Sequence, residues 1–248
     1  MGTIIEIKNV TVSYRECVAL KDVSLTVKKG TFLGVIGPNG AGKTTLLTAI
    51  NGLGKIVSGT VNVLGLNLKE NEHQLRKEIA YVPQSYNIDP RLPISVHDAV
   101  KIGRTGRVGL CRKLKTNDYR AIDRALDLVG VGNLKNRPIG HLSSGEQQKV
   151  AIARALLQEP KVMLLDEPTS NLDPGAQQEI IELIQTIYRN NKLTVIFVTH
   201  ILRHLPDSCK ELIFLRRGKI IYAGGFKESL KKELLSHLYH CSIEALAL

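Results

Sequence analysis

The chain has 248 residues, 43% of them hydrophobic, enough to bury a full α/β core either as one large domain or as a core with a subdomain. Its net charge of +11, from 34 Lys and Arg against 23 Asp and Glu, suits nucleic acid, anionic lipid or a nucleotide, but only 4% of residues are aromatic and no basic tract is interleaved with them, which argues against a single-strand binder. No run approaches the roughly 20 apolar residues of a spanning helix, and the first residues lack the layout of a signal peptide, so a cytosolic chain is expected; Cys17, Cys111, Cys209 and Cys241 are scattered without C-x-x-C spacing, which argues against a disulfide framework or zinc ribbon.

In chain order, residues 5–12 and 23–27 alternate largely with a period of two and are expected to form antiparallel strands. The apolar run 32–36 leads into Gly37-Pro38-Asn39-Gly40-Ala41-Gly42-Lys43-Thr44-Thr45 and then into the apolar-rich 46–50, which is strand, loop, helix. That is the context a phosphate-binding loop requires. Glycines at 37, 40 and 42 permit backbone conformations closed to other residues, so successive N–H groups can face phosphate oxygens at a helix N-terminus. Lys43 would reach the β and γ phosphates, and the Thr44 hydroxyl is a hard oxygen ligand suited to magnesium.

Between residues 84 and 160 strand signals stop, and helices are expected over 96–102, 118–129 and 146–157. The basic cluster Arg104, Arg107, Arg112, Lys113 and Lys115 reads as a solvated loop or a partner surface, the solvated loop being preferred. Leu142-Ser143-Ser144-Gly145-Glu146 opens the last of these helices, where Ser143, the Gly145 amide and the helix dipole make an anion site without a lysine of its own. The runs 162–165 and 193–198 read as central strands of a parallel sheet, buried on both faces. The first of them ends in Asp166 and Glu167. Asp166 stands where a strand-end acid would hold magnesium, and Glu167 where a carboxylate could polarise an attacking water. Residues 212–215 form a last parallel strand, the turn 216–219 and residues 220–222 a closing hairpin, and about 228–240 a helix. On that helix His237, His240 and Cys241 lie one turn apart, which reads better as an ordinary amphipathic helix end than as a metal site.

The order of these motifs resembles the nucleotide-binding subunit of an ABC transporter over nearly the whole chain. The resemblance implies an α/β P-loop NTPase core with a mostly parallel sheet, an N-terminal antiparallel β subdomain and an inserted helical subdomain. As a division of the chain this gives an ATP-binding core at 1–84 and 160–226, a helical signature subdomain at 85–159 and a C-terminal helix at 227–248. By the same resemblance Tyr14 stacks on adenine, residues 37–45 hold ATP, and Thr44, Gln84 and Asp166 attend Mg2+. Glu167 and His200 are catalytic, His200 as the sensor of the γ phosphate. Ser143, Ser144, Gly145 and Asp173 act in trans on the ATP of a second subunit, so a homodimer forms on ATP binding. Ser144 stands where glycine is standard and Glu146 where glutamine is common.

The stretch 89–110, followed by the helix at 118–129, resembles importers of manganese, zinc or iron and their metal-chelate relatives. This implies transmembrane permease subunits as partners, a solute-binding protein indirectly, no nucleic acid, and a place on the cytoplasmic face of the membrane. The alternative is a soluble ABC ATPase, such as one assembling iron-sulfur clusters. A DNA-repair ATPase would need a long coiled-coil insertion or zinc modules that this sequence lacks.

Overall fold

The computed structural model describes residues 2–15, 17–84, 89, 91–109, 112–191 and 193–226. Two sheets lie at its centre. β1 (Thr3–Tyr14) and β2 (Cys17–Lys28) pair antiparallel, as the alternation in both segments leads one to expect. Ile5, Ile7, Val10 and Val12 turn inward, and register shifts along the pair accompany left-handed Asn9 (φ 51°) and Asp22 (φ 53°), whose side chains share a 2.9 Å hydrogen bond. The short apolar β3 (Phe32–Ile36) feeds α1 (Lys43–Ile50). β4 (Ile56–Val63) then returns to pair antiparallel with β1, and β5 (Leu66–Asn67) adds an edge, giving the order β2-β1-β4-β5. The sequence reading missed β4 because its first half is exposed on both faces, and Gly59 (φ 87°) bends it against Asn9.

After the one-turn α2 (Glu72–Leu75) come β6 (Ile79–Val82), the helices α3 (Val96–Val108), α4 (Thr116–Leu128) and α5 (Ser144–Leu156), then β7 (Val162–Asp166), α6 (Pro174–Asn191), β8 (Thr194–Thr199), β9 (Glu211–Arg216) and β10 (Lys219–Gly225). The second sheet runs β10-β9-β3-β8-β7-β6, parallel except for the β9-β10 hairpin. Its pleat sorts the core into two. Phe32, Met163, Leu165, Val195 and Phe197 pack with apolar residues of α3 to α6, whereas Leu33, Val35, Leu164, Ile196 and Val198 pack with α1 and the first sheet.

α3 continues past residue 102, where the sequence reading ended it, because Gly103 is a contact and not a stop: a Cβ there would run into the Arg154 carbonyl of α5. The basic cluster corrects its preferred reading in part. Arg104 is not solvated but bonds Asp118 and Glu159, both at 2.7 Å, and Arg107 bonds Glu78 at 2.9 Å, so two of the five cations brace the helices against the strands. Arg112, Lys113 and Lys115 remain exposed as expected. The expected helix at 228–240, with His237, His240 and Cys241, lies outside the described residues.

Candidate nucleotide-binding site

The turn from β3 into α1 closes on its own glycines. Gly40 (φ 77°) and Gly42 (φ 102°) adopt the left-handed region, and a side chain at Gly37 would collide with the Leu215 carbonyl. Lys43 thereby becomes the first residue of α1 and is only 6% exposed. Its Nζ donates to the carbonyls of Gly37 (2.8 Å) and Pro38 (3.1 Å) and pairs with Glu167 Oε1 at 3.2 Å. A cleft of about 450 Å³ opens over it, walled by Asn39, Gly40, Gly42, Thr44, Thr45 and Gln84, while Ala41 is buried behind. Tyr14 stands exposed at the end of β1, and the facing strand places Ala19, not Tyr14, in the cleft wall.

Two carboxylates stand at the end of β7 in different surroundings. Asp166 is buried; the Tyr81 hydroxyl donates to Oδ2 at 3.1 Å, and Oδ1 has no hydrogen-bond partner. Burial pushes its pKa above the usual aspartate value, and the neighbouring Glu167 adds to this, although the nearby Thr44 hydroxyl, the Tyr81 hydrogen bond and the charge of Lys43 pull the other way. Glu167 leaves the strand in the left-handed region (φ 46°), a conformation that costs a side-chain-bearing residue about 1–3 kcal/mol and that concentrates at functional sites. Its carboxylate is a junction: besides Lys43, His200 Nδ1 lies 2.9 Å from Oε2 and Gln84 Nε2 donates to the same oxygen at 3.3 Å.

An oxygen-rich set suits a hard cation. The orphaned Asp166 Oδ1 and the nearby Thr44 hydroxyl fit Mg2+, with the Gln84 amide oxygen able to join, and remaining positions would fall to water and phosphate. Among the described residues no cluster of three His, Cys, Asp or Glu could hold a metal by itself.

A second cleft of about 280 Å³ shares Asn39, Gln84 and Glu167 with the first and continues past Ser170 and Asn171 to His200 and His204. Asp173 stands just before α6 and accepts from the Ala176 N–H at 3.0 Å, a cap followed by Pro174 at the first helical position. The signature is elsewhere. Ser143 caps α5 reciprocally with Glu146: its hydroxyl accepts from the Glu146 N–H at 3.3 Å, and its own N–H donates to the Glu146 carboxylate at 2.8 Å. Gly145 is backed by Ala176 of α6, and Ser143, Ser144 and Gly145 line neither cleft. The chain thus brings together residues 37–45, Gln84, Asp166, Glu167 and His200, and leaves the signature outside both clefts. Tyr81, Thr169 and His204 join this neighbourhood without any motif to announce them.

A glycine-lined loop with a buried lysine and an acid-ended strand beside it define a P-loop nucleotide hydrolase. The family model described as ABC transporter matches residues 20–170, and the chain belongs to that family as its ATP-hydrolysing subunit. It is 38% identical to the manganese transport system ATP-binding protein MntB of Bacillus subtilis, over 88% of this chain and 85% of that one. It is 36% identical to the zinc uptake system ATP-binding protein ZurA of Listeria innocua, over 92% and 88%. Among solved structures it matches a chain described as part of a metal-chelate type ABC transporter in an inward-facing conformation (TM-score 0.83, 29% identity, 98% of this chain and 90% of that one). It also matches the ATP-binding cassette MJ0796, dimeric in a post-hydrolysis state with ADP and Pi (TM-score 0.78, 27% identity, 90% and 98%). The fold carries the P-loop core, the antiparallel sheet and the helices that the resemblance implied. No helix among the described residues is long and apolar enough to cross a membrane.

Proposed function

We propose that this chain is the ATP-driven motor of a membrane importer for a transition metal or metal chelate, working as a pair of copies on the cytoplasmic face of the membrane with Mg2+ at each site. The observation that carries the chemistry is the three-way junction on Glu167, where Lys43, Gln84 and His200 converge. The cargo rests on the relatives, which include transporters of manganese and zinc and one of metal-chelate type. An iron-sulfur assembly ATPase finds no support in these.

In this reading residues 37–45 bind the phosphates through backbone N–H groups, with Lys43 on the β and γ oxygens and Tyr14 against adenine. Thr44, Asp166 and Gln84 would hold the magnesium, which supplies charge neutralisation on the transferred phosphate. Once Lys43 turns to phosphate, the Glu167 carboxylate is free to take a proton from the attacking water, and His200 keeps it aimed. Ser143, Ser144, Gly145 and Asp173 complete the site of the other copy. An apolar groove of about 150 Å³ between α3 and α5, with Leu92, Ile94 and Ile102 at its rim, suits an amphipathic helix of the permease. A solute-binding protein would act through that permease.

Glu167→Gln tests the chemistry: hydrolysis should fall by at least about a hundredfold, while ATP should hold the variant as a dimer on a sizing column. Hydrolysis at the parental rate would remove Glu167 as base, and tight ATP binding without dimerisation at high concentration would remove the paired site. For the cargo, deleting the gene should lower cell-associated manganese, zinc or iron. Unchanged content of all three, with loss of an unrelated solute, would refute it.

A further inference from the structure

Two histidines leave β8 on one short turn, and each reaches back to the segment that follows β7. His200 bonds Glu167 at 2.9 Å, and four residues later His204 Nδ1 lies 2.9 Å from Thr169 Oγ1. The second contact is the more enclosed, with His204 4% and Thr169 1% exposed. The turn between them is stiff: Ile201 N donates to Thr199 Oγ1 at 3.0 Å, that hydroxyl donates to the Ile201 carbonyl at 3.3 Å, and His204 N closes a 3-10 turn on the same carbonyl at 3.2 Å.

The opposite strut is braced too. Ser170 N donates to the Glu167 carbonyl at 3.0 Å, and the Gln177 side chain of α6 donates to the carbonyls of Leu172 (3.0 Å) and Thr169 (3.4 Å). Between the struts is open space, the cleft of about 280 Å³, into whose wall Ser170 contributes a buried hydroxyl with no partner. A loop beside a cleft has room to move, and a buried hydrogen bond across its base decides what it moves with.

We propose that His204 and Thr169 form a positioning pair that makes the loop 169–173 travel with the turn 199–204, so that engagement of His200 with nucleotide sets where Ser170 to Asp173 are offered to the second copy. This rests on the function proposed above. His204 touches no reacting group and acts only through Thr169. Burial, with Arg203 and His200 nearby, holds its pKa below the ordinary histidine value, so the contact is between a neutral ring and a hydroxyl.

The test uses the full chain with Thr169→Val, His204→Leu, their combination, and His204→Asn, which can restore a polar atom near the Nδ1 position. Each single apolar variant should lower kcat about tenfold while KM and monomer affinity for a fluorescent ATP analogue change by less than about twofold, and the double variant should be no slower than the slower single. His204→Asn should recover at least about a third of the parental rate. In a Glu167→Gln background, the same apolar changes should weaken ATP-driven dimerisation about tenfold. Parental kcat, multiplicative losses in the double variant, or rate losses that follow the melting temperature across the series without rescue by Asn would each overturn the pair. If His204→Leu fails to fold, the near-isosteric Thr169→Val decides alone. Failure of Glu167→Gln itself to dimerise would count against the paired site, leaving the kcat cycle to judge the positioning pair.

Discussion

The N-termini of α1 and α5 are the same physical device, a ring of backbone donors at the positive end of a helix dipole, finished in opposite ways. At α1 the preceding residue is Gly42, with no capping side chain, and the buried Lys43 ammonium sits among the loop carbonyls and the Glu167 carboxylate. At α5 the chain satisfies the end itself through Ser143 and Glu146, with Ser143 and Ser144 exposed and Gly145 buried. The first is a site waiting for an anion. Under the proposed function the second is a surface laid over the anion of another copy, and a chain holding both motifs would then be catalytically incomplete alone.

Lys43→Ala attacks the first terminus and should have the largest effect. It removes the phosphate anchor and strips Glu167 of its cation, so ATP affinity measured by calorimetry should fall on the order of a hundredfold, and no ATP-dependent dimer should form. Retained affinity would break the contrast. Ser143→Ala should leave ATP binding to the monomer intact but weaken ATP-driven dimerisation about tenfold, with roughly 1 kcal/mol lost from the helix cap, or about 2–4 °C in melting temperature. Equal losses in monomer binding and dimerisation would show that the two termini are not separate devices.

Asp166→Asn is the smallest effect and has the opposite sign for stability. The folded-state pKa of Asp166 is raised, so its ionisation opposes folding above the ordinary value of 3.8, and that penalty vanishes as pH falls below it. Without nucleotide or magnesium, the variant should therefore melt a few degrees higher than the parent at pH 7, the gain shrinking toward pH 4, while its hydrolysis of MgATP falls. A lower melting temperature at pH 7 would mean that the carboxylate is better partnered than its orphaned oxygen indicates.

Much of the fold could be read from patterns of burial. The runs 162–165 and 193–198 are apolar because both faces of their strands are covered, and glycine spacing marked the phosphate loop because a side chain collides at Gly37 and Gly42 while Gly40 and Gly42 take left-handed backbone. What stayed hidden has equally physical reasons. β4 alternates weakly because half of it faces solvent, Gly103 resembles a helix end in sequence although it is a helix crossing, and α6 has buried Ile180, Ile184 and Ile187 at helical spacing without a chemical motif to draw notice. In the site, residues joined by long-range contact were the invisible ones. Tyr81 meets Asp166 across 85 positions and His204 meets Thr169 across 35, and no local spacing encodes either.

The ion pair of Lys43 with Glu167 makes loading the site an ion exchange. A single ammonium is already neutralised by a resident carboxylate, so an arriving γ phosphate substitutes for an anion and does not simply add one. Under the proposed chemistry, the group that must deprotonate water is then held captive until the group to be attacked has taken its place. ADP, which keeps only the β phosphate, holds the lysine with fewer oxygens, and the carboxylate competes for it more evenly once the γ phosphate has gone.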